Sequence, residues 1–437
     1  MLCAGLVGDW LEVVVASDAG VTVFRGGRVF DGERVAALTV AVASGVIAAV
    51  GEAVEVPQRA VVIDTTGMTI LPGLIDAHTH VFAGSLGQAA VFGVTTELDM
   101  FADPVLVATL KREAAARDDL ADLRSAGTGA TAPGGHPTGL VARGIYRAFP
   151  TIEDPGRAEE FVTARLADGS DYLKIIIDDG RVLGYPHPSL SPDTVRALVA
   201  AAHWHGLLAV VHTLDAAAAD LAVRSGADGL AHLPVDADPG TGFANALAGR
   251  GVFVTPTLTA LEAVCGRGCG PTLATDPRFA PWLDSQSTMM LTMMGGNFPL
   301  GAGAHVDYAA TIATLGALHR AGVEILAGTD AGTLGVAHGA SMHRELQLLV
   351  EAGLAPVEAL TAATSAPADR FRLTDRGRIR PGLAADLLLV DGDPATDITA
   401  TANIVGVWRN GTRIDRGGPA PGSRRSPSPT ASAWTTR

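Results

Sequence analysis

The sequence predicts an α/β chain built around a (β/α)8 TIM-like barrel, and three observations predict it. Between residues 71 and 370, short apolar runs alternate with Ala-rich segments such as VLVATLKREAAARDDL and PDTVRALVAAAHWHG, the rhythm of βαβ units and a parallel sheet. The apolar runs are continuous rather than alternating, as in strands buried on both faces. Finally, the runs LPGLIDAHTH, DYLKIII, LLAVVHTLD, DGLAHLP and VEILAGTDAG carry His78 and His80, Lys174, His212, His232 and Asp330 at or near their ends. Barrels of this kind gather their chemistry at the carboxyl ends of the strands.

Taken in order, residues 1–20 (MLCAGLVGDWLEVVVASDAG) are apolar in places but lack a basic n-region and are interrupted by Asp9 and Glu12. They read as an N-terminal extension and not as a secretory signal, and the cytoplasm is the expected location. Residues 21–70 alternate short β-like runs (VTVFRGGRVF, LTVAVASGVIAAV, AVVIDTTGMTI) with Gly and polar turns, which predicts a small antiparallel sheet. The barrel follows over 71–370. Residues 371–415 return to β-like runs, DLLLV and NIVGVWRNGTRI. The tail over 416–437 is rich in Pro, Ser and Arg and is expected to be disordered. No internal repeat is apparent.

A length of 437 residues would ordinarily suggest about three domains, but a barrel with insertions can take most of it. Hydrophobic residues at 48% and charged ones at 18% describe a globular chain. No apolar stretch approaches the length of a membrane span, so no membrane is expected as partner. The net charge of -14 argues against nucleic acid, whose phosphates call for a basic face. Cys3, Cys265 and Cys269 are too few for a disulfide framework, and their odd number fits a reducing compartment. Cys265 and Cys269 lack a second half with zinc-site spacing.

The candidate site residues each have a plainer alternative. His78 and His80 lie two apart on one strand, so both imidazoles face one side and can hold one ion; otherwise they are buried histidines bonded to the backbone. Lys174 puts an ammonium on a buried strand, at a heavy desolvation cost unless something neutralises it; otherwise it reaches the barrel mouth or pairs with Asp178. His212 and His232 each close an apolar run, as the fifth and sixth strands of a barrel would. Order and spacing carry that reading, and His203 and His205 in AAHWHG read instead as surface or helix-end histidines. Asp330 precedes small residues that leave room for ligands. Its carboxylate can bind a metal and take a proton from a water the ion has acidified, or it can cap the next helix. His136 follows two glycines in APGGHPTG, a loop where backbone can approach a ligand, although Pro137 stiffens it. His338, in the loop after Asp330, and Tyr172 are further substrate-facing candidates, followed by Thr257 and His343.

The passage GLIDAHTH, the lysine of YLKIII, the histidines of VVHTLD and AHLP and the aspartate of GTDAG resemble the metal-ligand series of the amidohydrolase superfamily. The resemblance spans roughly residues 21–412 and includes GRIRPGLAADLLLVDGDP. GGHPTG, VTPTL and HGASMHRELQLLVEAGLAPVEALTAAT are similar to the imidazolonepropionase-like and Xaa-Pro dipeptidase-like branch. The resemblance implies that residues 21–70 and 371–415 pair into one composite β-sandwich beside the barrel. It implies one or two divalent ions, zinc foremost, on His78, His80, Lys174, His212, His232 and Asp330, with Lys174 carboxylated by carbon dioxide to a bridging carbamate. Asp330 becomes the catalytic proton acceptor, and His136 polarises the scissile carbonyl or contacts substrate.

The expected function is therefore hydrolysis of an amide bond in a small molecule, such as an N-acyl amino acid or dipeptide, by a metal-activated water. Lactone, carbamate or other ester hydrolysis on the same site is the alternative, as is a non-catalytic barrel; all six ligand positions are intact, which argues against the last. The partner is a small-molecule substrate, and a homo-oligomer is allowed. DDGRVLGYPHPSL and the Met-rich STMMLTMMGGNFPL are expected to wall a fairly apolar cleft.

Overall fold

The computed structural model describes residues 20–417. Apart from Gly20, Arg416 and Gly417, the expected N-terminal extension and C-terminal tail lie outside the described residues, as does Cys3.

Both ends of the chain build one pair of sheets. In the first, the order is Val46–Gly51, Thr39–Ala43, Thr22–Arg25, Val61–Asp64; in the second it is Thr412–Arg413, Ile404–Arg409, Leu387–Asp391, Met68–Pro72, Arg28–Phe30, Val35–Ala36. The strand Met68–Pro72 joins the two ends, pairing antiparallel with Leu387–Asp391 and parallel with Arg28–Phe30. Phe24, Val40 and Ile47 of the first sheet pack against Ile70, Leu387 and Trp408 of the second. Phe24 meets Trp408 edge-on with ring centroids 4.9 Å apart, an arrangement worth about 1 kcal/mol beyond its buried area. The sheets are mixed, whereas the sequence predicts an antiparallel one: Thr22–Arg25 and Val61–Asp64 pair in parallel, as do Arg28–Phe30 and Met68–Pro72. Only strands joined by a tight turn must run antiparallel, and these pairs are separated in sequence by the intervening hairpin.

The middle of the chain forms parallel sheets covered by helices. Val94–Asp99 lies between Leu74–Thr79 and Asp122–Ser125, and Leu173–Ile176, Ala209–His212, Gly229–Ala231 and Phe253–Thr255 follow as neighbours in chain order. Helices intervene, and Asp103, Ser191, Asp215 and Asp307 cap four of them through their side chains, each cap contributing about 1 kcal/mol. Alternation along the strands splits the core in two. Leu173, Ile175, Val211 and Val254 pack with helix residues such as Leu198 and Leu247; Ile75, Leu98, Val210, Ala231 and Phe253 pack with one another. Lys174 and His212 share strand faces with Tyr172 and Val210 of this inner cluster.

Isolated parallel bridges run from Ala130 to Ile175, from Val254 to Ile325 and from Thr79 to Ala331. The run VEILAG, expected as a strand, makes only the one bridge at Ile325. Leu326 N donates to Val254 O, but Ala327 N turns to Ala362 O instead of a strand neighbour, so the ladder does not propagate. Among the described residues, no helix is long and apolar enough to cross a membrane.

Candidate metal centre

Five of the six expected ligands end, or follow, segments whose carboxyl ends point to one place, and Lys174 sits within the strand beside them. His78 lies near the end of Leu74–Thr79, with His80 just past it and their rings 5.5 Å apart. His212 closes Ala209–His212, and His232 follows Gly229–Ala231. Their rings lie 4.6 Å apart, and those of His78 and His232 4.8 Å apart. Asp330 reaches in from the opposite side, with Oδ1 3.0 Å from His80 Nε2 and 3.4 Å from His78 Nε2. His78, His232 and Asp330 offer ligand atoms all within 4.8 Å of one another.

This donor set fits a divalent ion. His78 Nε2, Lys174 Nζ, His212 Nε2 and Asp330 Oδ1 are all buried without a hydrogen-bond partner. Four orphaned polar atoms in one small region would each cost on the order of 1–3 kcal/mol, so the arrangement makes sense as a cradle for a cation. Burial, and then the neighbouring Lys174 charge, hold His78 well below the usual imidazole range; burial, then His212, do the same for His232. Both are thus neutral, the form that ligates. Burial pushes the Lys174 ammonium down to about 7, which exposes a nucleophilic amine near neutral pH.

Partners fix which nitrogen faces the cluster. His80 Nδ1 lies 3.2 Å from Phe101 O and donates to it, which leaves the Nε2 lone pair free. His232 Nδ1 donates to Thr257 Oγ1 at 2.7 Å, and that hydroxyl donates on to Pro256 O at 2.8 Å. Glu345 in turn anchors the Thr257 turn, accepting from Leu258 N, Thr259 N and Thr259 Oγ1. Asp76 ties the two sides of the site together through His78 N, Thr329 N and Thr329 Oγ1. Asp99 accepts from Val81 N and Ser125 Oγ, next to His80. Gly328 lets the Asp330 segment approach, since a Cβ there would fall 2.8 Å from His78 N. His232, Thr257 and Asp330 all adopt positive φ, of 69°, 51° and 63°, a strain of about 1–3 kcal/mol each that surrounding structure must impose.

Thr257→Val keeps the shape and removes the acceptor for His232 Nδ1. Zinc affinity is expected to fall about 10–100-fold with little change in melting temperature, as read by competition with a chromophoric chelator. An unchanged affinity would remove Thr257 from the support of the site.

The structure does not bring every candidate here. His136 does reach the cluster's edge, its ring stacked on His212 at 5.5 Å. Tyr172 does not: its hydroxyl donates to Asp99 O at 2.8 Å, with Arg124 O 3.2 Å away, and it lines a separate cavity of about 400 Å³ with Arg124, Leu208 and Phe371. None of the six expected ligands lines this cavity. His338 is also withheld from the cleft, being 1% exposed with Nδ1 2.6 Å from Glu97 Oε1. His343 packs on Phe279 and bonds Phe92 O. His203 and His205 pair with Asp228 and Glu159 at the surface. Sequence reasoning did not single out Asp76, Asp99 and Glu345. For Asp76 a signal existed, since it shares the two-residue alternation of His78 and His80; for Asp99 it was its place at the end of the run VTTELD.

Known proteins resemble this chain over most of its length. The Amidohydrolase family profile matches residues 69–414. An uncharacterized protein of Mycobacterium tuberculosis (strain ATCC 25618 / H37Rv) is 28% identical over 337 residues, covering 75% of this chain and 80% of its own. An imidazolonepropionase of Streptomyces griseus subsp. griseus is 26% identical over 378 residues, covering 83% of this chain and 89% of its own. A crystal structure of a Xaa-Pro dipeptidase with bound methionine in the active site shares the fold, with a TM-score of 0.71 at 22% identity over 91% of this chain and 100% of that one.

Proposed function

The chain belongs to the amidohydrolase family, a hydrolase acting on carbon–nitrogen bonds, and from that premise we propose that it is a metal-dependent enzyme cleaving an amide bond of a small N-acyl amino acid or dipeptide. The observation that carries the metal dependence is the set of buried, unpartnered donors on His78, Lys174, His212 and Asp330. His78, His80, Lys174, His212, His232 and Asp330 would hold one or two divalent ions, zinc foremost. When bound, such an ion supplies Lewis-acid polarisation and a water acidified towards neutral pH.

The chain's own residues do the rest. Asp330 takes the proton of the attacking water and delivers it to the leaving nitrogen, which would otherwise depart as a poor anionic leaving group. His136, stacked beside His212, is the residue assigned to polarise the substrate carbonyl. Phe101 O and Thr257 hold His80 and His232 in the ligating tautomer. Lys174, as an amine in an apolar strand, is suited to carboxylation, which would replace an uncompensated cation by an anionic ligand. The substrate class is supported by the imidazolonepropionase relative and the dipeptidase neighbour.

The same reading takes residues 71–370 as one (β/α)8 barrel and 21–70 with 371–415 as a β-sandwich. The bridges Ala130–Ile175, Val254–Ile325 and Thr79–Ala331 support it, since they link the two parallel sheets to each other and to the Asp330 segment. A cytoplasmic enzyme with a small-molecule substrate, free of nucleic acid and membrane, completes the proposal.

The test is removal and return of metal against a panel of N-acyl amino acids, dipeptides, lactones and carbamates. Chelator-stripped protein is expected to lose hydrolysis and regain it with zinc, amides being cleaved in preference to the esters. Activity that survives complete stripping would overturn the metal mechanism; cleavage of lactones or carbamates alone would overturn the amide assignment.

A further inference from the structure

A second group of donors converges beside His212: Asp178 and His187, which the hydrolase reading leaves unused, together with His136. Asp178 lies two residues past Leu173–Ile176, and its Oδ1 accepts from Gly180 N at 2.8 Å. Its Oδ2 faces His187 Nε2 at 3.6 Å and His212 Nε2 at 3.7 Å, both too long for a hydrogen bond. His136 stacks on His187 at 6.2 Å with the ring planes 25° apart, as it does on His212. His136, Asp178 and His187 offer ligand atoms all within 4.8 Å of one another.

The tautomer of His187 sharpens the point. Its Nδ1 lies 3.1 Å from Pro188 O and donates to it, so the Nε2 lone pair is turned to the Asp178 carboxylate. His212 Nε2, on a side chain more than nine-tenths buried, faces the same oxygen with no hydrogen-bond partner. Lone pairs aimed at a carboxylate across such a gap repel unless a proton or a metal cation stands between them. The backbone carbonyl behind His187 is the support that metal-ligating imidazoles ordinarily have. The loop that carries His187 is itself held in place, since Gly301 N donates to Leu183 O and His305 N to Val182 O.

We propose that His136, Asp178 and His187 bind a divalent transition ion of the zinc type, beside His212 and separate from the grouping of His78, His232 and Asp330. Imidazole and carboxylate donors suit zinc, and two nitrogens with one oxygen leave a position open towards the cleft.

The experiment counts metal. Wild type, His187→Ala, Asp178→Asn and Asp330→Asn are stripped, loaded with zinc, desalted and analysed for zinc per chain, and the cobalt-substituted forms are compared by visible absorption. Wild type is expected to hold one equivalent more than His187→Ala and Asp178→Asn, with a cobalt band missing from both variants. Asp330→Asn is expected to keep that band. His187 lies in a partly exposed loop, so His187→Ala tests the idea even where Asp178→Asn fails to fold. Equal zinc and identical cobalt spectra in wild type and His187→Ala would overturn the proposal, leaving Asp178 and His187 as an ion pair. Loss of zinc in Asp330→Asn with none lost in His187→Ala would do the same while upholding the hydrolase centre.

Discussion

Asp330→Asn is expected to lower kcat by about 10²–10⁴-fold, with KM changed far less and the melting temperature close to wild type. Asparagine matches aspartate in size and is equally at home in the left-handed region, so the φ of 63° at this position is not what the substitution disturbs. What it removes is the negative oxygen 3.0 Å from His80 Nε2 and 3.4 Å from His78 Nε2, and with it the carboxylate assigned to take up the proton and return it. An amide still offers an oxygen to a cation, so part of the metal should remain. Steady-state kinetics beside a zinc count separate the two losses. An unchanged kcat would place the proton acceptor elsewhere.

Lys174→Met is expected to produce the opposite pair of effects: less metal and a more stable metal-free fold. The Lys174 amine is 2% exposed and its Nζ has no hydrogen-bond partner, and burying such a group costs several kcal/mol more than burying an apolar chain of the same length. Methionine fills the same space without that cost. The stripped variant should therefore melt a few degrees above stripped wild type, at about 2–4 °C per kcal/mol or somewhat less for a chain this long. Zinc content should fall to one equivalent or none at the His78, His232 and Asp330 grouping, and wild type alone should gain zinc when bicarbonate is supplied. Calorimetry on stripped protein and elemental analysis with and without bicarbonate read both effects. Full zinc occupancy in Lys174→Met would take the lysine out of the ligand set, and a lower melting temperature would mean that the fold stabilises the ammonium.

Most of the donor cluster was legible from the chain alone because each donor is locally marked. A histidine, lysine or aspartate at the close of an apolar run is visible without knowing its neighbours, and two residues on one strand share a face by period alone. The gathering of His212 and His232 follows from neighbouring parallel strands, and His78 and Asp330 bring ligand atoms within 4.8 Å of those of His232. The run VEILAG shows the limit of such marks. Its apolar pattern is that of a buried strand, yet Ala327 N bonds to Ala362 O, a partner no pattern announces, and the ladder stops.

His338 and Tyr172 fail for a related reason. Each stands next to a marked residue in sequence, but direction rather than proximity decides what a side chain meets. His338 turns inward to Glu97, 241 positions away, and Tyr172 precedes its strand, its hydroxyl taken up by the backbone of Asp99 and Arg124. Glu345 likewise lies 87 residues from the turn it anchors.

By itself, then, the sequence determined the alternation of strands and helices, the return of the chain's two ends to β structure, and the residue types waiting at the strand ends, since all of these rest on period and local composition. Only the tertiary structure decided that the end sheets are mixed, that Thr257 and Glu345 brace His232, and that Asp178, His187 and His136 meet beside His212. Those meetings depend on the path of loops and on hydrogen bonds between residues far apart in the chain, where the energy of a contact is set by which groups are left unpaired once everything else has packed.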